Sequence, residues 1–173
     1  MDTLNLRPVF LPNQRADANT YWLGLGLIAA LDALRLTMTD GTGLLPWFIV
    51  IIFLSVLHAN RLRDAGRSAW ALAVPLTLAV VAKFIIALFA MVIDYMPTFM
   101  VFLETQGVDI TDQAQTEAVV FDPEFQSTHE AYLRENPELV YDMLRAAAWP
   151  STWAFWIVIA VAARWFARLP RKF

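Results

Sequence analysis

Four charged side chains, Asp32, Arg35, Lys83 and Asp94, interrupt stretches that are otherwise apolar, Asp94 being expected near the outer interface. A charge at the centre of a bilayer costs about 2.5–3.5 kcal/mol on insertion scales, so each such residue carries a functional hypothesis. An acid and a base buried together can relay a proton or an ion, or they can simply neutralise each other between two helices. Counted from Ala18 and Ala69, Asp32 and Lys83 each stand fourteen positions into their blocks. The two helices run the same way, so the residues share a depth and are expected to meet as an intramembrane charge pair. Arg35 lies one turn further on the Asp32 face and pairs with it or extends toward the interface. A relay needs a polar path, and the second and fourth apolar blocks supply few polar residues. Structural pairing is therefore the leading expectation, with transport through Asp32 and Lys83 as the alternative.

Other constellations fail on residue type. His129-Glu130-Ala131-Tyr132-Leu133 begins like a zinc-protease helix but has Leu133 where the second histidine belongs. Asp109-Ile110-Thr111-Asp112 opens a calcium loop whose turn glycine would be Ala114 and whose closing acid would be Val120. The chain has no cysteine, which removes disulfides, thiolate metal sites and thiol nucleophiles. No catalytic residue, metal site or cofactor is expected, and nothing suits nucleic acid.

The elements that position these charges are long. The chain has 173 residues, of which 58% are hydrophobic and 17% charged, against about a quarter charged in an ordinary soluble domain. Four apolar blocks run from about Thr20 to Met38, Leu44 to Ala59, Ala69 to Phe102 and Ser151 to Leu169. Each is long enough to cross hydrocarbon as a helix. The third is too long for one upright span. Pro97 is expected to end it near Met96, leaving Thr98–Leu103 along the interface, and Pro75 is expected to kink its start. Met1–Thr20 does not read as a cleavable signal, so the first block is expected to stay as an anchor.

Charge orients the bundle. Arg61, Arg63 and Arg67 fill the turn between blocks two and three, and the tail carries Arg164, Arg168, Arg171 and Lys172. The first link holds only Asp40, and Glu104–Ala148 holds ten acids against Arg134 and Arg145. Basic residues stay cytoplasmic, so both termini and the arginine turn are expected in the cytoplasm and the acidic segment outside. His58 and His129 then fall on opposite sides, which excludes a two-histidine haem. Most of the seven tryptophans lie at block ends, at headgroup level. Asp122-Pro123-Glu124 and Asn136-Pro137-Glu138 have the form of helix starts, a cap, then proline, then an acid. Two short outer helices are expected, the second leading into block four, with polar Gln106–Ala118 loose before them. Gly26 and Ala30 have the small-xxx-small spacing that lets helices approach closely.

The turn His58-Ala59-Asn60-Arg61-Leu62-Arg63-Asp64-Ala65-Gly66-Arg67-Ser68-Ala69-Trp70 resembles the signature of the YhaH-like bacterial inner-membrane proteins, called domain of unknown function 805. Their pattern reads R-L-H-D-x-G-R-S-G-W-W, matched at Arg61, Leu62, Asp64, Gly66, Arg67, Ser68 and Trp70, with Arg63 in place of histidine. A weaker echo lies in Asn13–Trp22. The resemblance covers the first half of the chain and implies a small multi-span inner-membrane protein without an assigned activity. From the residues alone, Gly66 ends helix two in a left-handed conformation, Ser68 caps helix three and Asp64 pairs with Arg61. Arg61, Arg63 and Arg67 are expected against anionic lipid headgroups, each worth roughly 1 kcal/mol there.

The expected architecture is thus an all-α integral membrane protein of four transmembrane helices. It divides into a three-span region over residues 1–103, an acidic periplasmic segment over 104–149 and a fourth span with a basic tail over 150–173. The expected role is a non-catalytic accessory or scaffold subunit in a bacterial inner-membrane complex, in contact with partner subunits and anionic lipids. Glu130, Glu135, Glu138 and Asp142 are candidates for docking a cationic periplasmic protein such as a c-type cytochrome, because a one-signed patch steers a partner of opposite sign.

Overall fold

A computed structural model of the protein describes residues 6–39 and 44–170; Asp40, Arg171 and Lys172 lie outside them. Every described regular element is a helix. A four-residue turn, α1 (Arg7–Phe10), leads into α2 (Ala18–Met38). α3 (Leu44–Asp64) returns, and a 3-10 turn over Ala69–Leu72 opens α4 (Ala73–Thr105). Two shorter helices, α5 (Gln113–Val120) and α6 (Pro123–Glu135), precede α7 (Pro137–Ala167). Four helical stretches are long and apolar enough to cross a membrane: Ala18–Met38, Leu45–Asp64, Ala69–Thr105 and Pro137–Ala167.

The core lies where α2, α3 and α7 meet, around Tyr21, Ile28, Leu54, Leu57, Phe155, Ile159 and Phe166. α1 folds down onto α3 and closes one end with Val9. Gly24 makes that possible: a Cβ there would lie 2.7 Å from Cγ2 of Val9 and 3.1 Å from Leu57. The expected close-approach pair is not used in this way. Gly26 has open space around it and Ala30 is exposed, because this face of α2 lines an outer groove instead of packing in the core.

The arginine turn closes as anticipated. Gly66 has φ of 64°. The N–H of Arg67 donates to Leu62 O at 2.8 Å and that of Gly66 to Arg63 O at 2.9 Å, the paired bonds that finish a helix on a left-handed glycine. The Ser68 hydroxyl accepts from the Trp70 N–H and opens the 3-10 turn. Pro75 then falls in the first turn of α4, where its missing N–H has no intrahelical acceptor to lose, so it begins the helix without a break inside it. At the start of α2, the Asp17 carboxylate accepts from the Thr20 N–H at 2.7 Å, a cap.

α4 and α7 pack antiparallel along their lengths. Both are longer than expected. α4 continues through Pro97 to Thr105, and Thr98–Leu103 is helical. α7 runs unbroken from Pro137 through Pro150. A proline inside a helix removes one backbone bond, and here packing compensates: Phe102 and Leu103 are buried beneath α6, and Ala147, Ala148, Ser151 and Thr152 are buried around Pro150. The polar stretch after α4 is ordered too. Asp109 accepts from the N–H and hydroxyl of Thr111, and Asp112 caps α5 through the N–H groups of Ala114 and Gln115.

Candidate functional site

The Arg61 side chain turns into the bundle. Arg61 is 3% exposed and does not face headgroups. Its Nε donates to Phe166 O at 3.1 Å. Its Nη1 donates to Asp64 Oδ2 at 2.9 Å and lies 3.4 Å from Ala16 O, and its Nη2 donates to Ala167 O and Leu169 O at 2.9 and 2.7 Å. A guanidinium has five N–H donors, and five acceptors surround this one. Three of them are carbonyls at or just past the C-terminal end of α7, where a cation is favoured. Arg61 therefore ties the N-terminal arm, α3 and the end of α7 together. Its neighbour Asn60 is fully buried; its amide donates to Pro8 O and Leu11 O, both at 2.8 Å, and its Oδ1 accepts from the Gln14 N–H. Arg63 and Arg67 are exposed, as headgroup contact would require.

The intramembrane charges converge, but not as the expected pair. Asp32 is 0% exposed; Arg35 Nε donates to its Oδ1 at 2.8 Å and the Trp156 indole N–H to its Oδ2 at 2.8 Å. Lys83 donates to Thr152 Oγ1 at 2.9 Å and Ser151 Oγ at 3.2 Å, with its ammonium 5.8 Å from the centre of the Trp47 ring. The described contacts contain no direct Asp32–Lys83 bond. The reason is local: Arg35 reaches Asp32 from one turn away on the same helix, and the two α7 hydroxyls receive Lys83. The cluster thus joins α2, α3, α4 and α7 at one level. Spacing along the chain gives Asp32 and Lys83 a common height but hides their partners on α7, since Ser151, Thr152 and Trp156 read as part of an apolar block.

Outside this cluster, an aromatic nest fixes the long end of α4. Tyr95 Oη and His129 Nε2 are 2.6 Å apart, and the His129 ring lies among Phe99, Phe102 and Phe125. Partial burial lowers the His129 pKa from its usual value, against the smaller opposing pull of Glu130. The docking candidates sit nearby on α6 and the start of α7, all exposed. Glu130 already accepts from Arg134 at 3.3 Å, and Asp142 lies 3.9 Å from Arg145. Glu135 and Glu138 flank the α6–α7 junction, where the Asn136 amide donates back to Tyr132 O and does not cap α7.

Two cavities open on the sides. One of about 460 Å³ lies between α2 and α7, walled by Trp22, Gly26, Ala29, Trp149, Trp153 and Trp156. Another of about 450 Å³ is lined by Asp94, Tyr95 and Thr98 of α4 and by Asp142 and Arg145 of α7. Among the described residues, no group of three or more histidine or carboxylate side chains is arranged to hold a metal ion.

Four helices long and apolar enough to cross a membrane mark the chain as a multi-pass α-helical membrane protein. No family model, no curated protein and no solved structure matches the chain.

Proposed function

We infer that this protein is a non-catalytic accessory subunit whose α4 lies against transmembrane helices of a larger bacterial inner-membrane complex. The observation that carries this reading is the bare face of α4. Only 6% of the most apolar part of its span is buried inside the protein, against 39%, 44% and 39% for the other three spans. Exposed apolar side chains run along it from Val74 through Phe89 and Ile93 to Val101. That stripe is about 41 Å long at 1.5 Å per residue. Hydrocarbon is about 30 Å thick. At the usual tilt of about 20°, roughly 8 Å of the stripe remains beyond the lipid tails. Lys83 stands over Trp47, close to the start of α3, so α4 beyond about residue 87 has no α3 beside it. Another protein's apolar helices would cover that outer part.

In this reading the arginine turn and both termini are cytoplasmic and the α5–α6 segment is periplasmic, as the distribution of basic residues favours. Glu135 and Glu138, with the partly neutralised Glu130 and Asp142, would offer a cationic partner such as a c-type cytochrome a second contact. Kinship with the YhaH-like family is part of the same proposal and rests on the Arg61–Trp70 motif. Transport through Asp32 and Lys83 has less support, since each already has close partners within the bundle.

Site-specific photo-crosslinking in cells tests the proposal. A crosslinker at Ile93 or Val101 should give the same discrete protein adduct, whereas one at Phe48, which is also exposed on α3, should give none. Equal and diffuse labelling at the three sites would defeat the reading.

A further inference from the structure

A smaller cavity of about 140 Å³ lies between the ends of α2 and α3 and the middle of α4 and α7. Arg35, Trp47, Lys83 and Ser151 supply its polar wall, and Phe84 and Met91 are among its apolar lining residues. The polar groups are nearly all donors. Guanidinium, ammonium and indole N–H accept nothing, and the Ser151 hydroxyl already accepts from Lys83 and donates to Ala148 O.

Two further observations concern what this wall lacks. Trp47 is 6% exposed, and among the described residues its indole N–H has no hydrogen-bond partner. A buried orphan donor is costly, whereas most such groups in folded proteins find an acceptor. Lys83 spends two of its three N–H donors on neutral hydroxyls. The cluster's carboxylate, Asp32, held by Arg35 and Trp156, makes no direct bond to Lys83 in the described contacts.

We propose that this cavity binds a phosphate-bearing anion, with Lys83 and the Trp47 N–H as direct donors and Arg35 adding charge from the wall. The two direct donors arise on different helices, α3 and α4, and a phosphate group offers several charged acceptor oxygens to both. The cavity accommodates a phosphate group and not a whole lipid. The apolar lining at Phe84 and Met91 would accept the start of an acyl chain, so the anion is either an anionic lipid headgroup or free phosphate. Basic pockets between transmembrane helices bind lipid headgroups by the same chemistry. This proposal is independent of the accessory-subunit reading.

Native mass spectrometry of the purified full-length protein tests it, with phosphatidylglycerol, phosphatidylcholine and inorganic phosphate as probes. The wild type should retain phosphatidylglycerol over phosphatidylcholine if the source is lipid, and inorganic phosphate should bind and displace it if the source is free phosphate. Lys83→Met should weaken the retained probe about tenfold and Lys83→Arg should restore most of it, a tenfold change being 1.4 kcal/mol. Trp47→Phe removes the N–H along with one ring of the indole and keeps an aromatic side chain on α3, so, where it folds, it decides the matter if Lys83→Met does not; a loss of about fivefold is expected. Folded Trp47→Phe and Lys83→Met proteins that hold every probe as tightly as the wild type would overturn the proposal. So would a wild type that retains neither phosphatidylglycerol nor phosphate.

Discussion

Asp32 on α2 and Trp156 on α7 are joined by a 2.8 Å hydrogen bond from the indole N–H to the carboxylate, with Arg35 holding the other oxygen. The carboxylate is fully buried, so each donor it loses exposes a desolvated charge. Trp156→Phe should lower stability by about 1.5–3 kcal/mol, the usual worth of a hydrogen bond to a charged group. Thermal melts of Trp156→Phe, Asp32→Asn and the double variant would measure the coupling. Fully additive effects would mean that the bond contributes nothing.

Arg61 should tolerate no conservative exchange. Lysine keeps the charge but has three donors and no planar fork, and it would leave Asp64 and the α7 carbonyls under-satisfied. Arg61→Lys should cost about 3 kcal/mol, in the range for breaking a buried ion pair, whereas Arg63→Ala and Arg67→Ala should stay within about 0.5 kcal/mol. Chemical denaturation in mild detergent distinguishes these. Equal effects at the three positions would contradict the buried role of Arg61.

Two glycines on one helix should respond oppositely to alanine. At Gly24 a methyl group would press on Val9 and Leu57, and overpacking of this kind costs about 1–3 kcal/mol. At Gly26 the space is open, so alanine should stabilise by up to about 1 kcal/mol through helix propensity. Melting temperatures of the two variants provide the comparison, and a Gly26→Ala protein less stable than Gly24→Ala would reverse the assignment.

The α4–α6 contact should loosen in acid. Burial holds the His129 pKa below the usual histidine value of about 6.5. The folded state therefore binds its proton later than the unfolded state as pH falls. Its contribution is intact above about pH 6.5 and is lost progressively as pH drops toward the lowered folded value. Once charged, the imidazole can only donate to Tyr95. Amide hydrogen-exchange protection in α6, corrected for the intrinsic rate at each pH, should fall between about pH 7 and 5, and His129→Phe should flatten that dependence. The same fall in protection in the variant would place the titrating group elsewhere.

Much of this protein is written in one dimension. Long apolar runs dictate helices because a backbone in lipid must satisfy its own hydrogen bonds. Gly66 and Ser68 marked the turn because their local chemistry decides how a helix stops and starts. What needed three dimensions was the choice among partners. Arg61 reads as a surface cation until the ends of α7 and the N-terminal arm arrive to surround it. Lys83 reads as the mate of Asp32 until α7 supplies hydroxyls to one and an indole to the other. Pro97 reads as a stop until packing outweighs the single bond it removes. Sequence spacing reports height along a helix, but azimuth and neighbours are settled only when the helices pack. At low dielectric that choice of neighbours decides whether a charge is satisfied.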